Sequence, residues 1–324
     1  ELLLLQGETA KLWESYPNSG FTYPNPDSLL FSDIGIVGGA IANVDNSPGK
    51  ELLLVKNLPA QRVLQIYGRT TNGMMAPRNT LVNNTQTFQR NNFVPTVIVD
   101  DLDGDNRPDI LTADTDGDIM VFEVLNYAES VMTWHHRLPV RNTYQLASGD
   151  FDGDGKRDFV VGGYNTSISN PDLNFWMFEA FTSSEDNNYA SMGSIMFNNV
   201  EGQNSITVAD VDGDGKDEII LALSPALYVL KHTAGKFKPV FMGDSSTNYR
   251  MASYMGADGK QRIIANAMNA ADSLVTVEWY VDEPYSGPAS PVNVLAQAQD
   301  AHNVLVNWLG IGADAYRVYR RRAD

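Results

Sequence analysis

Asp150, Asp152 and Asp154 alternate along the chain, with Gly153 and Gly155 between and after them. Lys156 follows, and Asp158 closes the run. Four carboxylates this close together repel one another unless a cation offsets them. A hard cation such as Ca2+ takes six to eight oxygens at about 2.3–2.6 Å, and glycine permits the sharp turn that makes such oxygens converge. The seventh position of such a loop can donate a backbone carbonyl, which leaves its side chain free. The same spacing recurs as Asp101, Asp103, Asp105, Arg107 and Asp109, and again as Asp210, Asp212, Asp214, Lys216 and Glu218. A basic side chain at the seventh position suits carbonyl ligation with charge compensation. Mg2+ fits less well, because it demands octahedral geometry and retains water.

Two further loops depart from the pattern. Asn43, Asp45, Ser47 and Glu51 keep an oxygen at every position but lose two carboxylates, and Pro48 stands where Gly or Asn stands elsewhere. This loop is expected to bind weakly or not at all. Tyr254, Gly256, Asp258 and Arg262 end on an arginine that should exclude a cation and could itself fill the hole. The plain alternative for all of these loops is that Asp and Gly are ordinary turn residues. Asp114, Asp116 and Asp118 imitate the spacing without a closing acid in the right place, and read as a simple hairpin.

The loops sit inside a repeat: an apolar β-type run, an Asp/Gly loop, a second β run, a turn and a third. The clearest copies begin at Thr96, Tyr144 and Ser205, with weaker ones from Gly35 and Tyr249. The position before each second strand is Glu1, Glu51, Asp109, Asp158, Glu218 and Arg262. That spacing is too long for leucine-rich or ankyrin units and suits propeller blades of four short strands. The expectation is an all-β fold: a β-propeller of six or seven four-stranded blades over residues 1–280, with little or no helix. Glu1 then closes a loop whose front half lies upstream. A Pro/Gly/Ser linker is read at 281–290, and three alternating strands at 291–324, too few to close a sandwich.

Composition narrows the function. Apolar residues make up 43% of the chain and charged residues 19%, enough for a core and unlike a disordered acidic chain. Lys plus Arg is 23 against 40 Asp plus Glu, a formal charge of −17, which argues against nucleic acid as a partner. Three bound dications would bring that charge to −11. Zero cysteines exclude disulfides and thiolate metal sites, and four histidines nearly exclude a multi-His site. No apolar run approaches a membrane span, and the opening residues do not read as a signal peptide.

The repeated DxDGDGxxD motif between apolar strands resembles the FG-GAP/VCBS family of β-propeller repeats. The resemblance implies calcium ligands at Asp101, Asp103, Asp105, Arg107 (carbonyl) and Asp109; at Asp150, Asp152, Asp154, Lys156 (carbonyl) and Asp158; and at Asp210, Asp212, Asp214, Lys216 (carbonyl) and Glu218. The tail from Pro291, with Trp308, Tyr316 and Tyr319, resembles the opening of a fibronectin type III domain. Together these imply a secreted or cell-surface protein, bacterial in origin, in a calcium-rich compartment.

Two classes of function remain. One is a noncatalytic, calcium-stabilised adhesion scaffold presenting variable loops to a glycan or an extracellular protein, or assembling with itself at a surface. The other is part of an extracellular polysaccharide-degrading, lyase-like enzyme, for which Lys11, Arg62, Arg69 and Arg78 are the loose basic material. No acid/base or nucleophile cluster stands outside the Asp loops, which favours the scaffold. His135 and His136 read as structural. Trp13, Trp134, Trp176 and Trp279 read as packing between blades at similar repeat positions, whereas Tyr23, Tyr164 and Tyr189 read as exposed loop aromatics.

Overall fold

The computed structural model of the 324-residue chain describes residues 2–6, 8–13, 29–45, 49–59, 61–71, 74–85, 92–126, 128–165, 175–198, 204–223, 226–244, 250–268, 274–280, 292–298 and 304–309. The chain divides into two units, residues 1–280 and 281–324. Among the described residues the regular elements are all β-strands, and no helix is long and apolar enough to cross a membrane.

The first unit is a succession of antiparallel meanders. β1 (Leu2–Gln6), β2 (Thr9–Trp13) and β3 (Leu29–Ile34) form a three-stranded sheet. Three four-stranded sheets follow: β4 (Ile36–Ala42), β5 (Glu51–Asn57), β6 (Arg62–Arg69) and β7 (Met75–Leu81); β8 (Ile98–Asp100), β9 (Asp109–Ala113), β10 (Asp118–Asn126) and β11 (Glu129–Arg137); and β12 (Arg141–Gly149), β13 (Asp158–Asn165), β14 (Phe175–Glu185) and β15 (Asn188–Asn198). A fourth such sheet holds β16 (Asn204–Ala209), β17 (Glu218–Leu223), β18 (Ala226–Thr233) and β19 (Lys236–Asp244). β20 (Arg250–Met255), β21 (Gln261–Met268) and β22 (Leu274–Tyr280) make a further three-stranded sheet. Each expected second strand is therefore present where the repeat places it. MAPRNTL, which reads as loop in the sequence, is instead the fourth strand β7.

Burial explains the composition of the strands. The second strands β9 and β17 are buried at every position, and so they are continuous apolar runs rather than alternating ones. The fourth strand β11 is exposed or half-buried throughout. Strand alternation then divides each buried run between two neighbours. Leu53 and Val55 pack with Ile110, Met120 and Phe122 of the next sheet, while Leu52 and Leu54 pack with Leu12 and Phe31 of the preceding one. In β17, Ile219 and Leu221 join Val160 and Phe178, and Ile220 and Ala222 join Ile263. The cores thus lie between successive sheets, and each sheet supplies both faces.

The opening strands stand side by side: β4 by β8, β8 by β12, β12 by β16 and β16 by β20. Small residues make this possible. A side chain at Gly38 would strike the Pro95 carbonyl oxygen at 2.0 Å, and one at Gly149 would strike Val208 at 2.3 Å.

Trp134 lies on the fourth strand β11 and Trp176 on the third strand β14, so these tryptophans do not share one repeat position. Both do pack between sheets. Trp134 meets Phe159, Phe181 and Tyr189 edge-on and stacks on His136, and Trp176 stacks on Tyr164 at 4.9 Å. Tyr189 is not a loop residue but a buried part of β15. Tyr23, the side chains of Trp13 and Trp279, and residues 281–290 lie outside the described residues.

In the second unit β23 (Val292–Ala298) pairs antiparallel with β24 (Val304–Leu309). The third expected strand, over AYRVYRRR, lies outside the described residues.

Phe159 is fully buried between two sheets, against Trp134, Phe181 and Tyr189. Phe159→Ala should cost about 3–5 kcal/mol through lost burial and the cavity it leaves. Urea unfolding of the two proteins measures this, and a loss under about 1 kcal/mol would contradict a close-packed core between sheets.

Candidate metal centres

The three full Asp loops and the weaker one each connect a first strand to a second strand. The loop from Asp101 joins β8 to β9, that from Asp150 joins β12 to β13, that from Asp210 joins β16 to β17, and the weaker one from Asn43 joins β4 to β5. Each is drawn in by its own backbone. Asp150 accepts hydrogen bonds from the N–H groups of Gly153 (2.7 Å) and Gly155 (2.9 Å). Asp210 accepts from Gly213 (2.7 Å) and Gly215 (3.0 Å), and Asp101 from Gly104 (2.9 Å) and Asn106 (3.1 Å). Asn106 adopts φ 68° where the other loops use Gly155 and Gly215, a left-handed conformation that asparagine tolerates better than most residues. The Arg107, Lys156 and Lys216 N–H groups donate to Asp105, Asp154 and Asp214 at 2.7, 2.8 and 3.1 Å. The closing acid opens the second strand and accepts from the second loop residue: Asp109 from Leu102, Asp158 from Phe151, Glu218 from Val211 and Glu51 from Val44.

These contacts bring together oxygens of Asp101, Asp103 and Asp109, of Asp150, Asp152 and Asp158, and of Asp210, Asp212 and Glu218, each set within 4.8 Å. Asp103, Asp105 and Asp186 form a further such set. Each loop thus gathers at least three of the residues expected from the sequence.

What faces each nest differs, and the third and fourth strands supply much of it. Asp109 pairs across the sheet with Glu123 of β10. One step beyond the registered pairs Phe159–Phe181, Ile219–Leu230 and Leu52–Tyr67, the same position holds Thr182, Lys231 and Gly68. The loop from Asp101 therefore gains a further buried carboxylate, and the next sheet's hairpin caps it. There the Asn187 N–H donates to Asp103 at 2.9 Å and its side-chain amide donates to Glu123. The Tyr189 hydroxyl reaches Asp109 at 3.3 Å. Asn187 Oδ1 is buried here without a hydrogen-bond partner, as is Asp158 Oδ1 in the next loop. Buried oxygens left unsatisfied in an acidic nest are what an oxygen-coordinated cation would complete. The residues of these two loops fit calcium.

The loop from Asp210 is different. Lys231 Nζ lies 2.5 Å from Asp212 Oδ2, 2.8 Å from Asp214 Oδ2 and 3.0 Å from Glu218 Oε1. Glu218 Oε1 makes no hydrogen bond of regular geometry, so the ammonium is its ionic partner. Burial works against the lysine charge, but the three carboxylates outweigh it and hold its pKa above the ordinary range. The loop from Asn43 also has an internal cation. Arg78 of β7, which is 1% exposed, sits 2.5 Å from Asp45 and 3.2 Å from Glu51; Ser47 lies outside the described residues. In the degenerate loop Arg262 pairs with Asp258 at 2.7 Å and with Glu278 at 3.3 Å.

Residues that the spacing did not single out tie the loops into a row. Arg157 bridges Asp100 (2.9 Å) and Asp217 (3.2 Å). The Asp217 side chain accepts from the Asp150 N–H, the Asp217 N–H donates to the Asp150 carbonyl at 2.7 Å, and Lys216 Nζ reaches the Asp152 carbonyl at 2.5 Å. At the other end of the sheet the 114–118 segment is indeed a hairpin turn. It is tightly built: Asp114 accepts from the N–H groups of Asp116 and Asp118, and Asp118 pairs with His135 (2.9 Å) and Arg137 (3.1 Å).

Residues 101–161 and, overlapping them, 150–221 match the family model for an FG-GAP-like repeat. The chain thus carries FG-GAP-like repeats at two overlapping positions, which together include the loops from Asp101, Asp150 and Asp210. No curated protein matches the chain.

Burial, and then the charges of Asp103 and Glu123, push Asp109 up to about 7. Burial with the charges of Asp152 and Asp154 pushes Asp158 up to about 6. Above the ordinary value of 3.8 and below these values, both groups bind more protons folded than unfolded, so stability falls as pH rises through that window. In chelator, the urea midpoint should therefore drop between about pH 4 and pH 7, and level off above that. A flat or rising midpoint would show that these carboxylates are not strained in the metal-free protein.

Proposed function

We propose that residues 1–280 build a β-propeller whose blades are stapled by calcium, and that it serves as a noncatalytic binding scaffold on a secreted or surface-displayed bacterial protein. The observation that carries this reading is the same backbone-held carboxylate nest at the same end of successive four-stranded meanders. The ring itself is supported by the opening strands standing side by side and by cores that lie between sheets. Calcium is supported by the FG-GAP-like matches, since repeats of this family often bind it, and by the buried oxygens that await a cation. When bound, the ion supplies charge neutralisation and fixes the loop; Asp101, Asp103, Asp105, Asp109 and Glu123 would hold it in one nest, and Asp150, Asp152, Asp154 and Asp158 in the next.

The scaffold reading gains from the fate of the loose basic residues. Arg78 is buried against Asp45 and Glu51, and Arg62 is held by Asn57 and the Phe93 carbonyl, so neither is poised as a base against a uronic acid. The partner is then a glycan or an extracellular protein. The strand pair of the second unit would begin a fibronectin type III-like spacer.

Melting of the purified chain in calcium and in chelator, with a glycan array run in calcium, tests the proposal. A melting temperature several degrees higher in calcium, with saturable binding to a polysaccharide left uncleaved, is the expected outcome. No calcium effect would sink the stapled-blade reading, and release of unsaturated sugar products would replace the scaffold with a lyase.

A further inference from the structure

Resting on the calcium reading of the neighbouring loops, we propose that Lys231 is the resident cation of the loop from Asp210, so that this loop folds without calcium although its own acids match those of its siblings. Three of its four loop carboxylates, Asp212, Asp214 and Glu218, surround the ammonium at 2.5–3.0 Å. Two of these three, Asp212 and Glu218, belong to the set whose oxygens converge closely enough to hold a metal ion. An ion bound there at about 2.3–2.6 Å from the same oxygens would need the space and the negative charge that the ammonium already uses. To bind, it must first expel the lysine and break three charge-assisted contacts.

The lysine is placed by the sheet rather than by chance. Register puts the residue after Leu230 opposite Glu218, as it puts Glu123 opposite Asp109. The side chain is 15% exposed, so its stem lies largely within the protein. The corresponding Thr182 offers the Asp158 carboxyl a hydroxyl and no charge, so the third strand brings no cation to that loop. Two loops with the same acidic spacing are thus completed in opposite ways: one by a side chain of the third strand and one by an ion.

The test is isothermal titration of the full chain with CaCl2, comparing the wild type with Lys231→Thr, which gives the fourth sheet the residue of the third. The expected result is one additional calcium per chain in the variant, together with a larger melting shift between calcium and chelator. An unchanged stoichiometry would overturn the proposal. Should Lys231→Thr lose its folded far-ultraviolet spectrum, Asp212→Asn in the wild-type background decides the matter. Unchanged stoichiometry there supports the resident lysine, and loss of one calcium overturns it. Asp152→Asn should remove one site in either background. Wild type without any calcium is the failure of the stapled-blade reading itself. It leaves the lysine proposal standing only if Lys231→Thr still gains a site.

Discussion

Convergence of several carboxylates at the head of a β-sheet is tolerable only when donors and positive charge converge with them. In the Asp loops the donors come from the backbone. Successive N–H groups point inward at the acids in the first, third and fifth positions, and the N–H of the second residue clasps the acid that opens the next strand. This satisfies one oxygen or two of each carboxylate but does not cancel the charge, and the closing acids are buried. Each nest therefore requires a cation. Arg78, Lys231 and Arg262 supply it in three loops; exposed Arg107 lies 3.6 Å from Asp105 and 3.7 Å from Glu123 beside the loop from Asp101, and the rest of the charge in the loops from Asp101 and Asp150 is what an ion could offset. The packing of the sheet depends on this balance, because the closing acid is the first residue of a strand buried at nearly every position.

The loops also act on one another. Apolar contact between sheets has no direction and fixes distance better than angle. The row through Asp100, Arg157, Asp217 and Asp150 adds directional contacts at one end of three successive sheets. The backbone bond from Asp217 to Asp150 joins two loops outright. An ion bound in the loop from Asp150 would consequently brace the sheets on both sides of it. A loop that keeps its own lysine contributes the same bracing at any calcium concentration.

Much of this was legible in the sequence. The nine-residue spacing located the first-to-second strand loops, and the hydrophobic runs after them located the buried strands. The misfit at Arg262 also foretold a loop filled by its own side chain. The loop contents were legible because the clustered carboxylates are local, held by bonds between residues two to seven apart. What faces each loop was not legible, because it depends on register. Glu123 stands too far along the chain to close the Asp114 run, yet the tight turn at 114–118 carries it back opposite Asp109. Arg78 looked like loose basic material because its strand was hidden in a polar stretch. Tyr189 and Asn187 come from the next sheet, and reach the nest of Asp101, Asp103 and Asp109 only once the sheets stack.

The same dependence on register separates two properties that a repeat would otherwise keep together. The loop must keep its form, since its acids are held by backbone geometry and its glycines by positive φ. The third-strand position facing it is under no such constraint. It lies within the third strand, where the backbone register holds whatever the side chain, and here is Gly68, Glu123, Thr182 or Lys231. A change at that single position exchanges a carboxylate, a hydroxyl or an ammonium across the nest while the loop backbone and the blade behind it stay the same. The charge facing a loop is thus set largely at positions separate from the motif that makes the sheets alike, on the third strand at Lys231 and on the fourth at Arg78.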